Sequence, residues 1–122
     1  MFRSIAFFLL FLLTGDVTAA ALEAQPSAIK YEFLPNKPVI MTNSTSKNIQ
    51  MWCEMHVDSY ADNTFYIKQL RGRGEVNGTT LNTGNSMNIS VKQLQTMQIV
   101  INANSQIQFT SLSSYVISAI CH

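Results

Sequence analysis

The chain lacks the short motifs that mark the common classes of enzyme and metalloprotein. It has no glycine-rich phosphate-binding loop, no cysteine and histidine spacing typical of zinc sites, and no EF-hand calcium loop. No apolar run reaches the roughly 20 residues that cross a bilayer as a helix, and no internal repeat or low-complexity segment is evident. These absences favour a small domain for which we expect no cofactor.

The N-terminus has the layout of a secretory signal peptide. Arg3 gives a positive start, residues 5–13 form an unbroken apolar run, and Gly15 ends that run before the small residues 18–21. The run is about half the length of a membrane-spanning helix, which favours a cleaved signal over a permanent anchor. We therefore predict a signal helix within residues 1–24, removed on export, and no stable membrane span in the mature protein.

The mature part is long enough for one domain. Removing residues 1–24 leaves 122 − 24 = 98 residues, and we expect residues 25–122 to form that domain. It carries seven basic and five acidic side chains, so its net charge is 7 − 5 = +2. This charge is too small to indicate a nucleic acid or an anionic membrane as the partner.

Cys53 and Cys121 are the two cysteines of the chain, and both lie in the mature part. An even number of cysteines in an exported protein predicts a disulfide, with two buried thiols as the alternative. Both residues fall on the apolar face of a predicted strand, so we expect them to meet across the core. Closing a loop of this length would stabilise the fold by about 4 kcal/mol.

Apolar side chains recur with a period of two from residue 29 onward, which indicates strands. The alternation is clearest in residues 49–57, where every second residue from Ile49 to Val57 is apolar or cysteine. It recurs in residues 87–92 and 115–121, and the second of these runs is apolar enough to be buried on both faces. We expect about seven to nine short strands and no helix in the mature chain.

Turn residues separate the predicted strands. Residues 35–38 contain two prolines and divide the first strand from the second, and residues 82–85 form another turn. Asn77-Gly78 is typical of a two-residue type I′ hairpin, because both residues tolerate positive φ. That hairpin would pair Val76 with Thr79 and Gly74 with Leu81.

A second hairpin is predicted between residues 96–102 and 106–112. A three-residue loop at 103–105 would pair Ile101 with Ile107 and place the large apolar side chains on one face, whereas a two-residue loop would mix the faces. The number and spacing of these strands predict an all-β, antiparallel two-sheet sandwich. An immunoglobulin-like topology is the first choice, and a small β-barrel is the alternative.

Residues 51–56 combine methionine, cysteine and histidine, which are soft ligands suited to copper(I). In a strand, Met51, Cys53 and Met55 face the core and His56 faces away, so these side chains do not converge on one ion. We therefore expect no metal site. A periplasmic soft-metal (copper) carrier remains an alternative function because the ligand types and the exported location would suit one.

Two pairs of residues are candidates for catalysis, and the sequence favours neither. Cys121 and His122 are neighbours on a strand and point to opposite faces, and a disulfide-bonded cysteine cannot act as a nucleophile. His56 with Asp58 has no sequence signature of a catalytic triad. A small cell-envelope hydrolase is a second alternative, and we expect the protein not to be an enzyme.

The remaining candidate site residues are aromatic or basic. Trp52 lies on the polar face of its strand and is the best anchor for a protein contact. Gly72 and Gly74 predict a bulge or exposed bend, which would present basic side chains to an acidic partner or an anionic glycan, or keep a sheet edge soluble. The predicted binding residues are Trp52, Tyr66, Lys68, Arg71 and Arg73.

Three N-glycosylation sequons begin at Asn43, Asn77 and Asn88. The chain is rich in Asn, Ser and Thr, so a few sequons are expected by chance and three give no signal of glycosylation. The sequons therefore do not establish a eukaryotic origin.

These patterns predict a small, non-enzymatic binding or accessory protein. We expect it in the periplasm or the extracellular space, in contact with another protein of the envelope or of a host surface.

Cleavage of the signal peptide is directly measurable. Small residues suit cleavage after Ala19, Ala21 or Ala24. Mass spectrometry of the protein from the cells that make it should show a chain that begins after one of these residues. Recovery of the intact chain from the cytosol would contradict the prediction.

Overall fold

A computed structural model describes residues 28–122, and the predicted signal peptide lies outside these residues. The described residues form ten β-strands, which are β1 (Ile29–Phe33), β2 (Pro38–Asn43), β3 (Ile49–Val57), β4 (Asn63–Arg71), β5 (Arg73–Val76), β6 (Thr79–Asn82), β7 (Ser86–Val91), β8 (Thr96–Ile101), β9 (Ser105–Ser111) and β10 (Ile117–Cys121). Residues 28–122 contain no helix that is long and apolar enough to cross a membrane.

The strands form two antiparallel sheets. One has four strands in the order β2-β9-β4-β7, and the other has six in the order β1-β10-β3-β8-β5-β6. Buried side chains from both sheets make one continuous core, so the sheets pack face to face. The predicted all-β, two-sheet architecture is confirmed, with more strands than expected.

Every connection between consecutive strands crosses from one sheet to the other, except the β5–β6 hairpin. Without that hairpin, the strands form two four-stranded sheets, β1-β10-β3-β8 and β2-β9-β4-β7, which is the strand order of a jelly roll. The predicted immunoglobulin-like topology is not confirmed, because immunoglobulin sheets contain several pairs of consecutive strands. The strands also divide into two sheets and do not close into one barrel.

The alternation predicted for residues 49–57 is present in β3. From Met51 to Val57 every second side chain is buried, and those between them are exposed or half-buried. Ile49 is the exception, because it is exposed at the start of the strand. The burial predicted for both faces of the last strand is only partial, since Ser118 and Ile120 on its outer face are half-buried.

Three phenylalanines connect the two sheets. Phe33 on β1 meets Phe65 on β4 edge to face, with ring centroids 4.9 Å apart, and Phe109 on β9 lies 6.3 Å from each of them. Edge-to-face pairs at such distances are favourable beyond the area they bury. Tyr31 stacks beside Phe33, and desolvation by burial raises the pKa of its hydroxyl.

Cys53 and Cys121 form the predicted disulfide. The two residues lie opposite each other on the neighbouring strands β3 and β10, with Cα atoms 4.0 Å apart. The bond therefore lies within the six-stranded sheet, and the expectation that it would cross the core was wrong. Beside it, the Trp52 N–H donates to the His122 carbonyl at 2.9 Å, and the His122 N–H donates to the Trp52 carbonyl at 3.1 Å.

The hairpin predicted at Asn77-Gly78 is confirmed. Asn77 and Gly78 have φ values of 49° and 84°, as a type I′ turn requires. Val76 pairs with Thr79, and Gly74 pairs with Leu81. Local turn chemistry was sufficient here, because the two strands follow each other in the same sheet.

The hairpin predicted between residues 96–102 and 106–112 was wrong. β8 pairs with β3 and β5, whereas β9 pairs with β2 and β4 in the other sheet. Ile101 and Ile107 are both buried, as expected, but they face the core from opposite sheets. Two strands can each bury one face either by pairing in the same sheet or by packing from opposite sheets, so the burial pattern alone does not distinguish the two arrangements.

The disulfide should be measurable both chemically and by its effect on stability. Thiol labelling of the oxidised protein in denaturant, without a reducing agent, should find no free cysteine. The variant Cys53→Ala/Cys121→Ala should lose about 4 kcal/mol of unfolding free energy. The reduced wild-type protein should lose a similar amount, and two labelled thiols in the untreated protein would refute the pairing.

Candidate functional site

The outer surface of the six-stranded sheet presents Trp52, the single tryptophan of the chain. Trp52 lies on β3, an interior strand of the sheet, yet 51% of the residue is exposed. The buried Met51 and Cys53 on either side hold it in this orientation, because successive side chains of a strand point to opposite faces. The sequence predicted this exposure correctly.

Two of the side chains next to Trp52 on the outer face are apolar, and they lie diagonally from it on the two adjacent strands. Gln98 lies opposite it on β8. Val100 lies opposite Gln50 and Ile120 lies opposite Glu54, so Val100 and Ile120 are the diagonal neighbours of Trp52 on the two adjacent strands. Diagonal neighbours are within reach of an aromatic side chain. We define the Trp52 face by Trp52, Gln98, Val100 and Ile120.

Charged side chains of both signs border the Trp52 face. Lys30 lies opposite Ile120, and Glu75 lies opposite Val100. Glu54 and His56 form an exposed pair, with Oε1 and Nε2 3.0 Å apart, which contributes little to stability. An apolar centre with a polar rim is the arrangement found in protein–protein interfaces.

The structure divides the predicted binding residues between two sides of the sandwich. Tyr66 and Lys68 are half-buried on the outer face of the four-stranded sheet. Arg71 ends β4 in that sheet, and Arg73 begins β5 in the other. Trp52 therefore does not share a surface with Tyr66 and Lys68, although all three face outward.

The predicted bend between Arg71 and Arg73 is present. The β4–β9 pairing shifts register between Gln106 and Ile107, and Gly72 then turns the chain into the other sheet with φ +73°. A side chain on Gly72 would clash with Ser105, whose hydroxyl accepts a hydrogen bond from the Arg73 N–H at 3.0 Å. The bend therefore requires glycine for two reasons, its positive φ and its close approach to Ser105.

The soft ligands of residues 51–56 do not converge. Met51 and Met55 are buried, Cys53 is in the disulfide, and His56 is half-buried on the outer face. Among residues 28–122, no three His, Cys, Asp or Glu side chains lie close enough to hold a metal ion. Cys121 is also in the disulfide, so it has no thiolate to act as a nucleophile.

An open pocket of about 380 Å³ lies at one end of the sandwich, between the loops that follow β3 and β9. The Ser113 hydroxyl donates to Asn63 Oδ1 at 2.8 Å, and this buried hydrogen bond joins the loop after β9 to the start of β4. Asp62 is the only carboxylate among the described residues that line the pocket. Sequence reasoning missed this pocket because its walls come from segments about 50 residues apart, as the separation of Asn63 and Ser113 shows.

One of the three sequons is closed by the fold. Asn43 is buried, and its side-chain Nδ2 donates to the carbonyls of Lys47, Ile101 and Asn102 at 2.7, 3.0 and 3.1 Å. A glycan on this nitrogen is incompatible with these contacts. Asn77 and Asn88 are exposed.

Trp52 should matter little for the stability of the fold. We expect Trp52→Ala to lower the unfolding free energy by about 1 kcal/mol or less, because half of the residue already faces water. Met55→Ala, on the inner face of the same strand, should cost about 2–5 kcal/mol through the cavity it leaves. Urea denaturation of both variants measures the difference, and equal losses would show that Trp52 is a structural residue.

Comparison of the chain with protein-family models, with curated proteins and with solved structures found no match.

Proposed function

We propose that this protein is an exported, non-enzymatic binding module that contacts another protein through the Trp52 face. The observation that supports this most directly is a half-exposed tryptophan on an interior strand, beside two apolar side chains and within a polar rim. Tryptophan is the side chain most enriched among residues that dominate binding energy in protein interfaces. The outward orientation follows from the strand, but the fold does not require so large an apolar side chain at this position.

The Trp52 face is held rigid by the covalent structure beneath it. The disulfide at Cys53 is adjacent in sequence to Trp52, and two backbone hydrogen bonds join Trp52 to His122. A side chain on such a backbone loses little additional entropy when a partner covers it. Burying Trp52 in an interface should therefore contribute about 2 kcal/mol or more to binding.

We infer that the protein acts in the periplasm or in the extracellular space. The signal-like N-terminus and the disulfide both support this, because disulfides persist in oxidising compartments. A protein of the envelope or of a host surface is the partner that such a location offers.

The other two functions considered gain no support from the geometry. A soft-metal carrier needs ligands that converge, whereas Met55 and His56 point to opposite sides of β3. A hydrolase needs a nucleophile, a base and an orienting group within hydrogen-bond reach of each other. Ser113 is held by Asn63 in the end pocket, and no histidine is among the described residues that line it.

Partner capture with matched variants tests the proposal. Mature wild-type protein, Trp52→Ala and Tyr60→Ala are immobilised and exposed to envelope extract or culture fluid from the cells that make the protein. Tyr60 is 94% exposed in the loop after β3 and serves as the aromatic control. We expect at least one protein to be retained by wild type and Tyr60→Ala and lost from Trp52→Ala, because that variant lacks the anchor.

Fluorescence then locates the contact. Trp52 is the single tryptophan, so the emission reports on this face alone. Addition of the purified partner should shift the emission to shorter wavelength as the indole leaves water. An unchanged spectrum on binding, or equal capture by all three proteins, would refute the Trp52 face as the site.

A further inference from the structure

The outer face of the four-stranded sheet differs in chemistry from the Trp52 face. Amide and hydroxyl side chains dominate it, with one tyrosine and one lysine near the middle. We call this surface the amide face and define it by Tyr66, Lys68, Asn88, Gln106, Gln108 and Thr110. All six are exposed or half-buried.

Strand register places these side chains in neighbouring rows. Tyr66 on β4 lies between Thr110 on β9 and Asn88 on β7. Lys68, two residues further along β4, lies opposite Gln108. The tyrosine ring is therefore bordered by hydrogen-bonding groups on both neighbouring strands, with a cation one row away.

The bulge in β4 adds a second cation to the amide face. Arg71 lies opposite Gln106, while Lys68 lies opposite Gln108. Gln106 and Gln108 point to the same side of β9, so the extra residue in β4 brings Arg71 to the same side as Lys68. In a regular strand, residues three apart would point to opposite sides.

Among residues 28–122, no carboxylate lies on the strands of the four-stranded sheet, and Asp62, just before β4, is paired with Lys92 at 3.6 Å. The described acidic residues of the strands are on the outer face of the other sheet, and the remaining two are in the β3–β4 loop; they are Glu32, Glu54, Glu75, Asp58 and Asp62. Lys68 and Arg71 form no ion pair with another described residue. Arg71 Nε donates to the Asn104 carbonyl at 3.2 Å, which orients the guanidinium.

We propose that the amide face, together with Arg71, binds an acidic polysaccharide. Amide and hydroxyl groups donate and accept hydrogen bonds, as sugar hydroxyls require, and the Tyr66 ring offers an apolar surface for the C–H side of a sugar ring. Lys68 and Arg71 supply the charge-assisted hydrogen bonds that carboxylate groups accept. The absence of acidic side chains on this face removes repulsion of such a chain.

The shape and polarity of the amide face favour a polysaccharide over a lipid surface or an acidic polypeptide. Four strands about 4.8 Å apart span roughly 15 Å, which suits several sugar units of an extended chain. Among the described residues, the large exposed apolar side chains, which would insert into a membrane, lie only at the margins of this face: Ile40 on the edge strand β2 and Leu112 just after β9. This site is separate from the Trp52 face, because it lies on the opposite sheet.

Binding of defined polymers tests the inference. The mature protein is titrated with alginate oligosaccharides, which carry carboxylate groups, and with uncharged dextran of similar length. We expect saturable binding of alginate that weakens as salt is added, and no binding of dextran. Lys68→Gln/Arg71→Gln should weaken alginate binding by about tenfold or more.

Two further variants make the test specific. Lys30→Gln/Arg73→Gln removes the same net charge from two strands of the other sheet and should bind alginate as wild type does. Tyr66→Ala should weaken alginate binding while leaving any binding of poly-glutamate unchanged, since only a sugar ring packs against the tyrosine. Circular dichroism confirms that each variant is folded.

Three results would overturn the inference. Equal loss of alginate binding in the amide-face double variant and in its charge-matched control would indicate an effect of net charge alone. Binding of poly-glutamate as tight as that of alginate, insensitive to Tyr66→Ala, would indicate an acidic polypeptide as the ligand. Binding of anionic phospholipid vesicles in preference to alginate would indicate a membrane surface. None of these results bears on capture by the Trp52 face.

Discussion

The pairing of β10 with β3 is the contact on which the rest of the structure depends. β10 is the last strand, and it lies between β1 and β3, so β1 joins the sheet only through β10. Bringing residues 68 positions apart into register is costly in chain entropy, and the Cys53–Cys121 bond removes most of that cost once it has formed. The same pairing fixes the backbone at Trp52, so the stability of the sheet and the geometry of its outer face have one origin.

Almost every connection crosses from one sheet to the other, and backbone carbonyls at these crossings have no partner strand. Buried polar side chains donate hydrogen bonds to these carbonyls in place of a strand. At the end of the sandwich that includes Gly72, the amide of Asn43 holds the β2–β3 loop against the end of β8. Gln69, which is fully buried, donates to the carbonyls of Arg71 and Gln106 and so supports the bulge. Both side chains are structural, and the bulge that Gln69 supports presents Arg71 outward.

The sequence predicted the orientation of side chains better than the pairing of strands. Alternation identifies which side chains of β3, β8 and β9 are buried, and Asn77-Gly78 determines a local hairpin. Neither pattern distinguishes a strand that pairs with its neighbour in sequence from one that packs against it. The same ambiguity explains why Trp52 and Tyr66 were grouped together: each points outward, but the sheet to which each belongs is decided by long-range contacts, and periodicity carries no information about these.

The net charge of the mature chain likewise did not predict how the charged side chains are distributed between the two sheets. A value of +2 is too small to indicate a nucleic acid or an anionic membrane as the partner, but the topology places Lys68 and Arg71 on a sheet whose strands carry no carboxylate and places three glutamates on the opposite sheet. Over distances beyond the Debye length of about 8 Å, charges of opposite sign on the two sheets are screened from each other. A ligand at the amide face therefore experiences mainly the two cations beside it. This separation lets one small core carry two faces of different chemistry, each available to its own partner.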